Sequence, residues 1–395
     1  MEKENNINDR NISLDVIRCV ACFGVISVHF FLNNGFLGEA ILGKRMILML
    51  LLRQLFMFCV PLFLILSGYL LSNRRFEVRF YKKLGKTYSI YVLASIFCIY
   101  MTPLLYRTIC WVFNMEAPVW VPITLKSIIK GILDFTAAPY SWYIEMYIGL
   151  FLIIPFLNMV YNNLTSKREK LLLIIIVFIL SSLPSITNSY NFDSFEWWKN
   201  PNVLTPEGVR YPYYKIVPDY WQSLYPILYY FIGCFIKEYG IKLKKSLNVV
   251  FLVLTIIIWG AYCIWRNRGG VTFVAGGWSE WSSAFDVVYS FLIFVLLLNT
   301  DYTGVPKIVK KLVVKISKLS LAAYLVSRVF DNSFYAVLNI KVSDVKLRLA
   351  YYFIIVPAVF LCSVVSADIV YKVYELLVKA LEIIKNNYIK RNTTN

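Results

Sequence analysis

Ten stretches of this chain approach the length and apolarity needed to cross a hydrocarbon layer, and nothing else limits its fold as strongly. They are Ile12–Leu32, Leu48–Leu71, Tyr88–Ile109, Trp142–Val160, Leu171–Ser189, Ser223–Ile236, Leu247–Trp265, Ala284–Leu298, Leu319–Phe334 and Leu349–Tyr371. A bilayer core of ~30 Å takes about 20 residues of helix. In lipid every backbone polar group needs an internal partner, so such runs predict helices. The expected fold is all-α, a polytopic transmembrane helix bundle of about ten spans over residues 1–371, followed by a basic cytoplasmic tail, 372–395. The first span carries no small-residue cleavage site and outruns a signal-peptide core, so it is expected to stay in place.

Composition agrees. Of 395 residues, 59% are hydrophobic and 16% charged, against roughly 45–50% and about 25% in a soluble domain. Disordered chains are poor in apolar and aromatic residues, so disorder is excluded too. Eight scattered cysteines suggest neither a disulfide framework nor a zinc ribbon. Cys19 and Cys22 stand at C-x-x-C spacing, but on an apolar helix without a βαβ context they read as packing rather than redox chemistry. There is one histidine, His29. No site with two histidine ligands can exist, and no metal or bound cofactor is expected.

The net charge of +18 is mostly an orientation signal. With the N-terminus cytoplasmic, 25 of the 41 Lys and Arg residues fall in inner segments, as the positive-inside rule requires. Both termini are then cytoplasmic. The excess suits attraction to membrane lipids, with no nucleic-acid partner implied, and a bacterial plasma membrane is the expected location. Two outer segments are long. One contains Thr124–Phe135, an amphipathic pattern expected to lie as a short interfacial helix. The other, Pro184–Gln222, sets Trp197, Trp198, Tyr211, Tyr213, Tyr214, Tyr220 and Trp221 among Asp193, Glu196, Glu207 and Asp219. Two readings stand for it: a sugar-binding surface, or an interfacial aromatic belt with solvated charges.

Ionisable side chains inside spans are costly and mark functional sites by default. Asp15, Arg18 and His29 share the first span. Arg18 and His29 are eleven residues apart, which at ~100° per residue returns to nearly one face about 16 Å along the helix. Both can line one pore without touching, and Asp15, one turn before Arg18, is placed to orient the guanidinium. The alternative makes Asp15 and Arg18 interfacial anchors and His29 a helix–helix hydrogen-bonding group. Glu145 lies one turn into the fourth span and either faces a cavity or does not. Arg53 is expected to snorkel, and Arg328 and Asp331, at i, i+3, to neutralise each other. Asp286 and Asp368 sit at span ends.

The run Ile12-Ser13-Leu14-Asp15-Val16-Ile17-Arg18, with Val28-His29 after it, resembles the opening of the acyltransferase-3 family of integral-membrane acyltransferases, in which an Arg and a His are separated by ten residues. Pro61 through Leu71, ending Ser67-Gly68-Tyr69-Leu70-Leu71, is similar to that family's second-span signature. The basic loop Phe80-Tyr81-Lys82-Lys83-Leu84-Gly85-Lys86 follows. Trp142-Tyr143 with Glu145 and Pro155, Tyr229-Tyr230-Phe231-Ile232-Gly233, and Ser320-Leu321-Ala322-Ala323-Tyr324-Leu325 resemble later elements. There are departures. Lys83 and Lys86 stand where arginines are usual, and Ser327-Arg328 where a second histidine is common. A lysine lacks the bidentate fork of arginine, so phosphate would be held differently.

The resemblance implies a membrane O-acyltransferase, an O-acetyltransferase in the commonest case, with acetyl-CoA as donor substrate and a cell-surface glycan or lipid-linked sugar as acceptor. Imidazole is the side chain suited to take a hydroxyl proton near neutral pH, so His29 is the expected base or transient acyl carrier, with Arg18 as its catalytic partner. Asp15 and Glu145 are expected to orient these groups. Arg18, Lys83 and Lys86 would hold acyl-CoA, and Trp142 and Tyr143 the acceptor. A transporter or flippase on the same helices, with His29 and Glu145 as a relay, is the competing reading. A purely structural role fits the charged span residues poorly.

Overall fold

The computed structural model describes residues 11–116, 119–120, 122–190, 198–199, 201, 203–205, 208–210 and 214–393. In chain order the helices are α1 (Ile12–Asn33), α2 (Gly43–Leu55), α3 (Cys59–Leu71), α4 (Val78–Val112), α5 (Leu125–Leu133), α6 (Trp142–Asn163), α7 (Lys167–Ser181) and α8 (Pro184–Thr187). There follow α9 (Tyr225–Tyr239), α10 (Lys245–Arg266), α11 (Ala284–Leu298), α12 (Lys307–Lys341), α13 (Val345–Arg348) and α14 (Tyr352–Thr393). Among the described residues the only strands, Val203–Thr205 and Gly208–Arg210, pair antiparallel. The fold is all-helical in character, as expected.

Seven helical stretches are long and apolar enough to cross a membrane among the described residues: Ile12–Asn33, Gly43–Leu71, Val78–Val112, Trp142–Asn163, Lys245–Arg266, Gly277–Leu298 and Val345–Asn387. Each coincides with one of the ten expected spans. The other three fall on α7, α9 and α12. Helices α7 and α9 have 15 residues each, about 22 Å of rise, short of a full crossing. Helix α12 is long but opens with a lysine-rich first half. Helix α14 runs through residue 371, with Lys372 paired to Asp368 at 2.9 Å one turn back.

The chain divides into two compact units. Met1–Phe76, Leu152–Ser317 and Leu338–Phe353 form the first; Glu77–Phe151, Lys318–Val337 and Ile354–Asn395 form the second. In the first unit, α3 and α9 make the closest helix pair, because glycine faces backbone on both sides. A Cβ on Gly68 would overlap the carbonyl of Tyr230, and one on Gly233 the carbonyl of Ile65. Small residues that let backbones touch drive such pairing in lipid. The Ser-Gly-Tyr and Phe-Ile-Gly elements of the sequence thus meet as one packing device. Asn158 closes the end of α3 by donating to the carbonyls of Leu71 and Arg74, both at 2.8 Å, while accepting from the Tyr230 hydroxyl at 2.7 Å.

In the second unit, α5 is the expected amphipathic helix. Thr124 and Ser127 cap it reciprocally. Phe135, at φ 58°, turns the chain out of the helix soon after Leu133, which shortens the expected Thr124–Phe135 at both ends. Its inner face is held by Tyr91, which donates to the Ile132 carbonyl at 2.7 Å and stacks on Phe135. Leu125, Ile129 and Leu133 stay exposed, the face an interfacial helix turns to lipid.

Candidate functional site

The site begins at Asn11, whose side chain caps α1 by accepting from Ser13 N at 3.1 Å. The helix carries three of the expected residues. Asp15 is 1% exposed; its Oδ1 accepts from Ser317 Oγ at 2.6 Å, tying α1 to α12. The same oxygen meets Arg18 Nη1 at 3.5 Å. Asp15 therefore faces the guanidinium as expected, while its shorter bond is to the serine. The Arg18 side chain keeps 28% of its surface exposed.

His29 lies near the other end of α1 and is buried. That end is fixed by a network which the sequence did not announce. Asn33 Nδ2 donates to the His29 carbonyl at 2.8 Å, and Asn339 Nδ2 to the Asn33 carbonyl at 2.9 Å. Arg348, itself buried, spends its guanidinium on five acceptors. Nε donates to Val342 O, Nη1 to Asn34 O and Asn339 Oδ1, and Nη2 to Asn339 O and Ser343 O, at 2.7–3.1 Å. A guanidinium offers five N–H donors, so none is wasted, and the cation sits at the carbonyl end of α1 where the helix dipole favours it. Gly35, at φ 86°, makes the turn after Asn34, and a Cβ there would press on Arg348 Nη1.

Around the same end, Phe30 and Phe31 meet Tyr352, and Phe31 meets Phe36 at 5.7 Å. His29 is thus held on a rigid, aromatic-walled helix end. Rigid support of this kind is what a catalytic or relay group requires.

In the second unit, Lys83 and Lys86 are exposed on one face of α4, three residues apart. Lys86 Nζ lies 5.8 Å over the Tyr374 ring. Trp142 and Tyr143 open α6 with edge-on rings 6.1 Å apart, and Tyr143 stacks on Tyr147. Tyr143 is buried, so its ring is largely packing and Trp142 is the more open of the two. Glu145 is exposed on α6.

Arg328 and Asp331 both reach Tyr140. The tyrosine donates to Asp331 Oδ2 at 2.7 Å and accepts from Arg328 Nη1 at 3.4 Å, while Tyr324 donates to the Tyr140 carbonyl. Tyr140 sits just before the Ser141-Trp142-Tyr143 element, and a hydrogen bond spanning 191 residues of sequence leaves no local signal by which to find it.

Arg53 corrects an expectation. It does not snorkel to the surface but is 7% exposed, donating to Ser279 O at 2.9 Å and pairing with Glu280 at 3.3 Å, over the Phe273 ring. The loop before α11 folds back and supplies a carboxylate, which makes burial affordable for the cation. Asp286 is fully buried on the first turns of α11. In the aromatic outer segment, Tyr220 is 86% exposed and Trp198, Tyr214 and Trp221 are also open. Trp197, Tyr211, Tyr213, Asp193, Glu196 and Glu207 lie outside the described residues.

Thus Asp15, Arg18 and His29 belong to the first unit and Lys83, Lys86, Trp142, Tyr143 and Glu145 to the second. A family model described as an acyltransferase domain matches residues 11–368, from the cap of α1 into α14. No curated protein and no solved structure matches the chain. A match over nearly the whole chain, on a bundle of apolar helices, is decisive: this is a multi-pass membrane protein of the acyltransferase-3 family, a membrane acyltransferase.

Proposed function

We propose that the protein is an O-acyltransferase that moves an acyl group, acetyl in the simplest case, from cytoplasmic acyl-CoA to a hydroxyl of a cell-surface or exported glycan. The observation that carries this reading is His29, the only histidine of the chain, buried at a helix end held by Arg348, Asn339 and Asn33. An imidazole nitrogen of His29 takes the acceptor's hydroxyl proton as that oxygen attacks the thioester carbonyl. When the tetrahedral intermediate collapses, the C–S bond breaks and the imidazolium returns its proton to the CoA thiolate. The alternative course through an acyl-imidazole uses the same nitrogen as nucleophile.

In the first unit, Arg18 attracts the anionic donor from the end that the lysine and arginine bias places in the cytoplasm, and Asp15 limits its rotamers. In the second, Lys83 and Lys86 form a separate exposed phosphate-attracting pair, and Trp142, less buried than Tyr143, is assigned to the sugar. Glu145, exposed on α6, is assigned to orienting bound substrate. The plasma membrane is the compartment in which cytoplasmic acyl-CoA and an exported glycan both reach one protein.

His29→Ala should abolish O-acyl signals in the NMR spectrum of the surface glycan while the protein stays at parental level in the membrane. Persistent acylation would overturn the assignment. Purified protein that turns over acyl-CoA in detergent separates the enzyme from a transporter on the same helices, since transport has no such turnover.

A further inference from the structure

Helix α5, in the second unit, has an inner side that is fixed and an outer side that is open. Tyr91 donates to the Ile132 carbonyl at 2.7 Å, and Thr136 and Ala137 both donate their amides to the Gly131 carbonyl, at 3.0 and 2.8 Å. A Cβ on Gly131 would lie 3.2 Å from that of Ala137, so glycine gives the returning chain its room. The outer side is an open groove of about 670 Å³, lined by Leu125, Lys126, Ile129, Lys130, Leu133 and Asp134. Small-molecule sites occupy roughly 300–1,000 Å³.

Helical spacing sorts these six residues. At ~100° per residue, Leu125, Ile129 and Leu133 share an arc of about 80°, and Lys126 and Lys130 form the next row. Asp134 extends that row by one turn. All six are exposed. An apolar row beside a basic one suits an amphiphile with a hydrocarbon chain and an anionic head. The Asp134 carboxylate is fixed by Thr136, whose hydroxyl and amide both donate to Oδ1, at 2.6 and 3.2 Å. A carboxylate has about four acceptor sites, so it can take hydroxyl donors from a ligand as well.

The far end of the groove leads to Trp142. Ser141 Oγ donates to the Phe135 carbonyl. Leu133 and Asp134 come just before Phe135, and Trp142 just after Ser141, so this one bond keeps the groove's end and the indole within a few residues of each other. Along α5 the order is therefore apolar row with lysines first, carboxylate and indole last. A phospholipid would use the first pair of features and leave the second. A free sugar would use the second and leave the first.

We infer that α5 binds a lipid-linked sugar phosphate. Its hydrocarbon chain lies along Leu125, Ile129 and Leu133, its phosphate is held by Lys126 and Lys130, and its sugar extends toward Asp134 and Trp142. That this ligand is the acyl acceptor rests on the acyl-transfer reading above; that it binds does not.

The test uses the full-length protein in detergent, titrated with farnesyl phosphoryl glucose, farnesyl phosphate and phosphatidylglycerol, with native mass spectrometry reading the fraction that retains each. Farnesyl phosphoryl glucose should be held most tightly, and phosphatidylglycerol should not displace it. Replacing both lysines, Lys126→Gln with Lys130→Gln, should weaken both farnesyl phosphates about tenfold or more. Both side chains are exposed, so the fold tolerates the change. Trp142→Ala should erase the preference for the phosphoryl glucose and leave the affinity for farnesyl phosphate unchanged. Equal retention by the parent and the double lysine variant would overturn the proposal. Displacement by phosphatidylglycerol would overturn it too, and would make α5 a general contact for anionic lipid. Retention without acetyl transfer from acetyl-CoA would leave the binding site and remove its role as acceptor site. Glycan acylation in cells by a protein that retains neither farnesyl phosphate would leave the acyl-transfer reading and remove this site.

Discussion

Two guanidinium groups of the first unit, Arg348 and Arg53, are equally buried and very differently employed. Arg348 uses all five donors on carbonyl and amide oxygens. Arg53 makes one carbonyl bond and one ion pair, with Glu280. A cation met by neutral carbonyls fixes the chain ends that supply them, whereas a cation met by a carboxylate is neutralised where it sits. The contrast separates a clamp on a helix end from an ion pair that pins a returning loop.

Breaking the clamp should have the largest effect. Arg348→Ala leaves five acceptors without their donor around the end of α1, at a cost of about 4 kcal/mol in unfolding free energy. Arg348→Lys, with three donors on a point charge, should recover roughly half. Thermal unfolding of the purified protein measures both, and an unchanged midpoint in Arg348→Ala would refute the clamp. Because the network holds the turn bearing His29, glycan acylation should fall with it.

The α3–α9 contact comes next and tests whether closeness alone, without charge, is as demanding. Gly68→Ala sets a methyl group onto a carbonyl of the neighbouring backbone, and a backbone cannot rotate away as a side chain does. A loss of about 3 kcal/mol is expected, the upper range for overpacking. Gly149, with open space around it, is the control, and Gly149→Ala should cost nothing measurable. Equal stabilities for the two variants would remove the packing argument.

The Arg53 side of the comparison predicts a smaller change. Glu280→Gln removes the charge that pairs with Arg53 and keeps the bond to the Ser279 carbonyl. The Glu280 side chain is 39% exposed, so unfolding should cost only about 1 kcal/mol less than in the parent, read as the thermal midpoint. A loss comparable to that of Arg348→Ala would show that the ion pair, and not the carbonyl bonds, sets the worth of a buried guanidinium here.

The difference between the two arginines also marks how much could be read from sequence. The apolar runs showed the helices, because period and length are local properties. Asp15, Arg18 and His29 were legible since all three stand on one helix, where spacing gives the face. Arg348 was not: it lies 314 residues from the carbonyl of Asn34 that it caps. Arg53 was misjudged for the same reason. Its partner is 227 residues away, and near a span end the local pattern cannot tell a snorkelling arginine from one met by a returning loop. Tyr140 joins Arg328 and Asp331 only through tertiary packing, so the i, i+3 spacing suggested a pair where there is a three-membered contact.

The smallest effect belongs to a network that, unlike the clamp of Arg348, is open to water. At the start of α7, Glu169 accepts from the amides of Thr165 and Ser166 at 2.9 and 3.0 Å, and its own amide donates to Ser166 Oγ at 3.1 Å. The Ser166 amide first, and that of Thr165 with it, hold the Glu169 carboxyl below its usual range. A group whose folded-state pKa is depressed adds stability that is full above its unfolded value, about 4.3, and disappears as pH falls through the folded one. Glu169→Gln should therefore unfold slightly earlier than the parent near neutral pH, with the gap closing in acid. Water competes for every bond in this box, so the gap should be small beside that of Arg348→Ala. Unfolding midpoints of the two proteins, compared from neutral pH down to about pH 3, provide the measurement. A gap that is constant with pH would show that the charge of Glu169 contributes nothing, and a gap as large as the Arg348 effect would show that burial does not set the strength of these networks.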